Sequence, residues 1–576
     1  MRMMAEDAFQ RFKDEISEAV SKTLRELNAE TEIVIDRAPQ GMGDLAFPCF
    51  PLAKRLKKSP DAIAKDIASR IKPKDLIERI EAKGGYVNFT VRFDELAQKA
   101  IDEALSKKER FGIPDKRKGA RVLLEHTSVN PTGPIHVGRA RNPIIGDTLA
   151  RILRQAGYDV TTEFYVNDVG RQAVVMTWGV KHLKLDTQPE RDKDDYRYVL
   201  HYQQANKLLE EDPEILKEID SMLYKLEHGD PATVKLAREA CEKVLSAIME
   251  SLKRLNVRVD RFTWESKFVA DRSVEKVIAK LKTSEYCREQ DGAYYLELES
   301  FGISGRETKW VFTRADGTSV YTTRDLAYHL DKFARSDIAI NILGEDHKLA
   351  MQELSAALSI MGLEKKPEIV YYAFVSLPEG KMSTRRGRVV NLDDLIDEAI
   401  ELAYEEVKKR RTDLSEERMR EIARIVGVGA LRYNIARIQA EKQIVFKWED
   451  ALNFEGSSAP FVQYAHARAC SILSKAEGWS RRFDAKHLTS SQEIDLAKLV
   501  ASFPSVIADC AEDRKTHVLA GYAQDLAAQF NQFYRFVPVL KSEGAVRDAR
   551  LALVEASMWT LRNSLNCLGI DAPEEM

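Results

Sequence analysis

The sequence predicts a multidomain α/β protein: a parallel sheet with helices on both faces, a small α/β unit before it and an all-helical unit after it. Three observations carry this. Strand, turn and helix alternate twice in the middle of the chain, the pattern of βαβ units and hence of parallel strands. Beyond Asn391 no strand signal remains. The chain, at 576 residues, is too long for one hydrophobic core, so two to four domains are expected.

The elements follow in order. An amphipathic helix opens the chain, then a strand at EIVID, a loop APQGMGDLAFP, a helix near KSPDAIAKDIASRI and a strand at YVNFTV. Residues 1–115 thus read as one small domain. SKKERFGIPDKRKGAR is basic and carries Gly and Pro, which makes it a linker whose cations are either merely solvated or set against RNA. VLLEHT is the next strand and NPTGPI its turn. A helix starting near Arg139 follows, with Ile144, Ile145, Leu149, Ile152 and Leu153 on one face and Gly157 as its stop. DVTTEFYVND is a strand with a helix after Gly170. IAINIL, GEDH and LAMQELSAALSIMG repeat the pattern as far as Gly362, and EIVYYAFVSL returns as a strand. Residues 116–390 form this sheet domain, with a charged, mostly helical insertion at about 180–310. From 391 to 576, runs such as DLIDEAIELAYEEVKKRRTDL keep helical period.

Composition narrows the class. With 44% hydrophobic and 31% charged residues the chain reads as soluble and globular. A net charge of −3 shows no overall polycation, although a local basic face still allows nucleic-acid binding. The six cysteines are scattered without a CxxC pair, which argues against a structural zinc or a disulfide framework and fits a reducing cytosol. The N-terminus carries charges where a signal peptide needs an apolar core, and no window approaches the ~20 apolar residues of a membrane span. A cytoplasmic protein with no membrane contact is expected.

Two stretches carry chemistry. In NPTGPIHVGRARN, His136 and Gly138 stand where a turn becomes a helix. A small residue there lets the backbone approach phosphates, and an imidazole donates hydrogen bonds as charge develops. Alone, the HxG pattern equally fits a surface histidine on an ordinary turn. Residues 380–388, GKMSTRRGR, combine four cations, two glycines and two hydroxyls, a loop suited to a leaving pyrophosphate or, alone, a solvated basic hairpin. Ligands of parallel sheets bind outside the carboxyl ends of the strands. Both stretches, and a further turn at His347, fall on that edge, which favours a nucleotide site.

HVGR after NPTGP, paired with the later KMSTRRG, resembles the HIGH and KMSKS signatures of class I aminoacyl-tRNA synthetases. The arginyl family is the nearest match, and the resemblance covers nearly the whole chain. GDLAFPCFPLAKRLKKSP, EHTSVNPTGPIHVGRARNPIIGD, YTTRDLAY, GEDHKLAMQEL, KMSTRRG and SSAPFVQYAHAR all resemble its blocks. It implies an N-terminal tRNA-contacting domain, a Rossmann-type catalytic domain, and a helical stem with an anticodon-binding domain. The implied reaction joins L-arginine and ATP into arginyl-adenylate, then passes the arginyl group to the 3′-terminal adenosine of tRNA(Arg). ATP is a substrate with Mg2+ upon it, zinc is not needed, and a monomer is expected.

By resemblance, His136, Gly138, Arg139, Lys381, Ser383 and Arg385 serve catalysis, and His136, Gly138, His347, Lys381, Met382 and Ser383 hold ATP. Glu125, Tyr321 and Asp325 would face the guanidinium, while Asn130 and Gln352 hold the amino-acid end. The chemistry agrees: a guanidinium is a planar fork of donors asking for carboxylates, and Tyr321 and Asp325 lie one helical turn apart. Read alone, Asp325 could pair with Arg324 or cap a helix, and Glu125 could be a surface residue. Two positions depart from the signatures. Arg139 replaces a histidine but keeps a donor, and Thr384 replaces a lysine for which Arg385 or Arg386 could stand in. In FEGSSAPFVQYAHARACSIL, Gln463, Tyr464, His466 and Arg468 mix aromatic and polar groups that can stack on bases and grip phosphates. Phe461 and Tyr464 equally fit a core. The rivals are a class I synthetase for another amino acid and an inactive RNA-binding relative; the five matched pocket positions disfavour both.

Overall fold

The computed structural model describes residues 8–39, 41–115, 119–303, 308–376 and 390–576. Its centre is a sheet of five parallel strands: β1 (Arg121–Glu125), β2 (Asp159–Val166), β3 (Arg261–Trp264), β4 (Ile338–Gly344) and β5 (Glu368–Tyr372). The order is β5-β4-β1-β2-β3. The chain runs outward from β1 through β2 and β3, then returns to lay β4 on β1's other side. The order therefore reverses between β1 and β4, the place where such sheets open a crevice for ligands. Glu125 at the end of β1 sits in register with Glu163 of β2 and Asn341 of β4.

Four helices frame the sheet: α1 (Arg141–Gln155), α2 (Arg171–His182), α3 (Tyr321–Arg335) and α4 (Lys348–Ile360). The face expected of α1 is buried, with Ile144, Ile145, Leu149, Ile152 and Leu153 at 0–1% exposure. Arg141, Asn142, Asp147 and Thr148 are buried too. C-terminal helices cover the side of α1 away from the sheet, so Leu149 and Leu153 share one core with Phe503 and Phe530. The helix begins two residues later than expected because Val137–Arg139 first makes a tight 3-10 turn. Gly157, at φ 86°, turns the chain out of it.

Three expectations are corrected. The segment expected to be a mostly helical insertion has helices Asp194–Glu211, Pro213–Glu227 and Pro231–Arg254 but also gives β3 to the parallel sheet, and adds an antiparallel sheet of Cys287–Gln290, Ala293–Glu297 and Lys309–Val311. Four residues of β3 show no period; the free edge of β2 recruits them. EIVYYAFVSL is not one strand: Ala373 N donates to Ala440 O at 2.9 Å, drawing the chain off the sheet, and Val375–Ser376 pairs instead with Ile444–Val445. In the N-terminal unit EIVID pairs only at Asp36–Arg37, whereas Leu45–Pro48, expected as loop, is a full strand against Tyr86–Val91. Gly43, at φ 113°, makes that strand possible, since a side chain there would meet Phe89 O at 2.8 Å.

Helix Phe93–Lys107 packs two ways. Leu96 and Ala100 belong to the N-terminal core, while Ala97, Ile101 and Ala104 join the C-terminal helices. Those helices include Leu392–Arg410, Glu416–Ala436, Ala459–Ser474, Ser491–Asp513, Thr516–Phe536 and Gly544–Cys567.

Candidate active site

β1 delivers Glu125 to the crevice, and the chain then turns sharply. Thr127 and Ser128 have φ of 71° and 35°, a conformation that L-residues avoid. Asn142, in the first turn of α1, holds it: its Oδ1 accepts from Thr127 N at 2.5 Å and its Nδ2 donates to Ile342 O at 2.8 Å. One side chain thus bridges β1 and β4 across the switch point. Its neighbour Arg141 is fully buried and donates to the carbonyls of Ala373 (2.9 Å), Lys442 (2.5 Å), Gln439 (2.5 Å) and Ile438 (3.3 Å). Burial pushes this guanidinium down to about 10.

His136 caps the 3-10 turn, its Nδ1 accepting from Gly138 N at 3.0 Å. Partial burial, then the Arg139 cation, pushes its imidazole below the usual range. The ring's proton therefore sits on Nε2, free to donate outward. The turn is clamped by Val390–Leu392: Val137 N donates to Val390 O at 3.0 Å, Leu392 N to Ile135 O at 2.8 Å, and His136 bridges Asn391. Gly138 faces Val375 O. Lys381, Met382, Ser383, Thr384, Arg385 and Arg386 lie outside the described residues, but the chain reaches and leaves them beside His136.

On the other side of the switch point, His347 follows β4 in an exposed turn. Asp325 is 31% exposed, with His329 Nδ1 at 3.1 Å. Burial alone would raise its carboxyl, but contact with His329 and the fields of Lys332 and His347 outweigh it and lower it. Arg324 does not pair with Asp325; it is buried against Glu265, with Glu227 at 3.6 Å. Glu125 is buried and paired with Lys332. Tyr321 is 66% exposed, and burial of its remainder raises its phenol. Asn130 donates to Gln172 Oε1 at 2.8 Å, and Gln352 is exposed on α4.

The Asn130–Gln172 pair stands between two cavities. One, about 600 Å³, is lined by Trp310, Arg314, Tyr321 and Glu353. The other, about 510 Å³, is lined by His136, Arg139, Tyr196 and Asn391. The structure thus brings Glu125, Asn130, Tyr321, Asp325, His136, Gly138, Arg139 and His347 to one edge of the sheet. Sequence reasoning missed Arg141, Asn142, Gln172, His329 and Lys332. Two polar residues directly ahead of the apolar run Pro143–Ile145 were a usable signal for Arg141 and Asn142.

In the C-terminal unit, two of the four noted side chains are structural. Gln463 Nε2 donates to Asp571 O at 2.9 Å, and His466 Nδ1 lies 2.9 Å from Pro573 O, both buried and holding the chain's last residues. Tyr464 is 43% exposed, and Arg468 lies over the rings of Tyr464 and Tyr534 at 4.6 and 4.4 Å.

Comparison with known proteins shows the family. Residues 100–448 match the catalytic domain of class I tRNA synthetases (R), so the sheet domain is that of a class I aminoacyl-tRNA synthetase. Residues 10–91 match the arginyl tRNA synthetase N-terminal domain and residues 462–576 the DALR anticodon binding domain. The arginine–tRNA ligase of Methanocella arvoryzae is 52% identical over 92% of both chains. That of Methanothermobacter thermautotrophicus is 44% identical over 99% of this chain and 100% of its own. The structure of Thermus thermophilus arginyl-tRNA synthetase matches with a TM-score of 0.84 at 32% identity, covering 98% of this chain and 100% of that one. The chain belongs to the arginyl-tRNA synthetase family.

Proposed function

We propose that this protein activates L-arginine with ATP and transfers it to the 3′-terminal adenosine of tRNA(Arg). The observation that carries this reading is the Asp325 carboxylate on the same sheet edge as the His136 turn, with Glu125, tied to Lys332, behind it. Asp325 stays ionised and partly open beside Tyr321, which suits the planar donors of a guanidinium. Asn130 and Gln352 would take the substrate's ammonium and carboxylate. The ATP phosphates would lie over the turn Val137–Arg139, receiving hydrogen bonds from His136 Nε2 and the backbone of the turn. His347 would meet the nucleotide from the β4 side, and Lys381, Met382, Ser383 and Arg385 the pyrophosphate.

A carboxylate oxygen of arginine attacks the α-phosphorus, and the bond to pyrophosphate breaks. A terminal adenosine hydroxyl of the tRNA then attacks the carbonyl carbon, and AMP leaves with the electron pair. No protein nucleophile is required, so the chain contributes positioning and charge stabilisation. Magnesium bound to the triphosphate would screen its charge. Among the described residues no three His, Cys, Asp or Glu side chains converge on a metal site. Tyr464, Tyr534 and Arg468 form an exposed aromatic and cationic group that supports contact with an unstacked tRNA loop. No described helix is long and apolar enough to cross a membrane.

Asp325→Ala tests the reading. Removing one side of a partly desolvated charge pair costs roughly 3–5 kcal/mol, a hundredfold or more in arginine use. Arginine-dependent pyrophosphate exchange with tRNA present should show that loss while the ATP constant stays unchanged, and Asp325→Asn should be hurt comparably. Near-normal arginine kinetics in Asp325→Ala would place the pocket elsewhere.

A further inference from the structure

The two carboxylates are joined beneath the cleft by three buried side chains. Lys332 Nζ donates to Glu125 and, at 2.7 Å, to Asn341 Oδ1. Asn341 Nδ2 lies 2.8 Å from His329 Nε2. His329 Nδ1 lies 3.1 Å from Asp325 Oδ1 and 2.9 Å from the Asp325 carbonyl. Lys332, Asn341 and His329 are each at most 1% exposed.

Donor and acceptor logic fixes every proton in this chain of contacts. An ammonium only donates, so the Asn341 atom facing Lys332 is the oxygen and the amide NH2 faces His329. That NH2 also only donates, so Nε2 keeps its lone pair and the ring's single proton sits on Nδ1, aimed at Asp325. A second proton on His329 would set N–H against N–H in a dry place, where an unmade hydrogen bond is expensive.

We propose that Lys332 and Asn341 are specificity-determining positioning residues, which hold His329 as a neutral Nδ1–H donor and leave the cluster of Glu125, Lys332, His329 and Asp325 one net negative charge. The inference rests on the reading of Glu125 and Asp325 as the arginine site. Lys332 cancels Glu125, His329 adds nothing, and the charge of Asp325 awaits a substrate with one positive charge. A protonated His329 would supply that charge itself. A neutral isostere such as citrulline is rejected because it leaves the carboxylate unpaired. The other charged groups facing His329 do not alter the count. Glu163 of β2 is held by Arg335 at 2.8 and 3.0 Å, and His347 lies beyond Asp325 after β4.

Histidine-selective 15N NMR on the full chain reads the proton positions, with the His329 signal assigned by its loss in His329→Gln. Wild-type His329 should show the neutral ring with its proton on Nδ1 across about pH 6–8, the range in which an ordinary histidine titrates, and the arginine KM should be flat there. Asn341→Asp is isosteric, turns the donor into an acceptor and adds one negative charge that the second proton on His329 offsets, so His329 takes that proton and titrates. Arginine KM should then fall severalfold as the pH rises and that proton leaves. Lys332→Met, which frees the amide to flip, should give the same pH dependence if Asn341→Asp folds poorly. A wild-type His329 that is an imidazolium at neutral pH overturns the proposal. So do flat arginine profiles in both variants when Asp325→Asn is impaired. If Asp325→Asn keeps its arginine KM, the site reading itself falls and takes the inference with it.

Discussion

The turns that follow β1 and β4 face each other across the switch point, and each carries a histidine. They are built differently. The His136 turn is clamped through Val390–Leu392 on one side and anchored by Arg141 and Asn142 below. The His347 turn carries loose ion pairs, His347 to Asp346 and Lys348 to Glu345, both at 3.8 Å and both exposed, and Lys348 lies 5.6 Å over the Tyr371 ring. Such surface pairs contribute ~0–1 kcal/mol. One turn is clamped on both sides before any ligand arrives, while the other is an exposed 3-10 turn held by weaker side-chain contacts. Preorganised donors stabilise developing charge without reorganising at the moment of reaction. That favours the His136 turn for transition-state work and the His347 turn for ground-state binding.

The largest effect expected is on Arg141→Met. It removes the shared donor of one buried main-chain carbonyl, Ala373, and three part-buried ones, a buried carbonyl costing ~1–3 kcal/mol when left unsatisfied. Thermal unfolding should show a loss of several kcal/mol, and activation should fall because the flanks of residues 377–389 are released. Full stability in Arg141→Met would mean that the His136 turn is not held as described. Next comes His136→Ala, where losing a preorganised donor costs ~3 kcal/mol in the activation rate with arginine KM nearly unchanged. Single-turnover adenylate formation checks it; lost arginine binding with normal turnover at saturation would break the assignment. The smallest effect belongs to His347→Ala. It should raise the ATP KM by a factor of a few and leave kcat close to wild type, the signature of ground-state binding. Equal kcat losses in the two histidine variants would erase the distinction between the turns.

Much of this contrast was legible in the residues, and the remainder was hidden for physical reasons. Helical period marked the apolar face of α1, and Gly157 marked its end. The two turns on one sheet edge were visible once strands and helices alternated. What stayed hidden depends on partners far away in the chain. Arg141 binds carbonyls of 373 and 438–442, a distance no local pattern encodes. Lys332 looks like any cation in the last turn of a surface helix, yet it is fully buried between Glu125 and Asn341. β3 owes its extended form to the open edge of β2 rather than to its four residues. Gln463 and His466 showed polar groups at helical spacing that suited RNA, but they bind the main chain of the last residues instead. Polar identity alone does not say whether a partner is nucleic acid or backbone.

The central claim is that the acidic pocket beside the His136 turn selects arginine for attachment to tRNA. Aminoacylation of an unfractionated tRNA pool by the wild-type protein, with each amino acid radiolabelled in turn and ATP present, tests it most directly. The account predicts label in acid-precipitable tRNA with arginine alone. Label from any other amino acid, or from none with a folded protein, would contradict it.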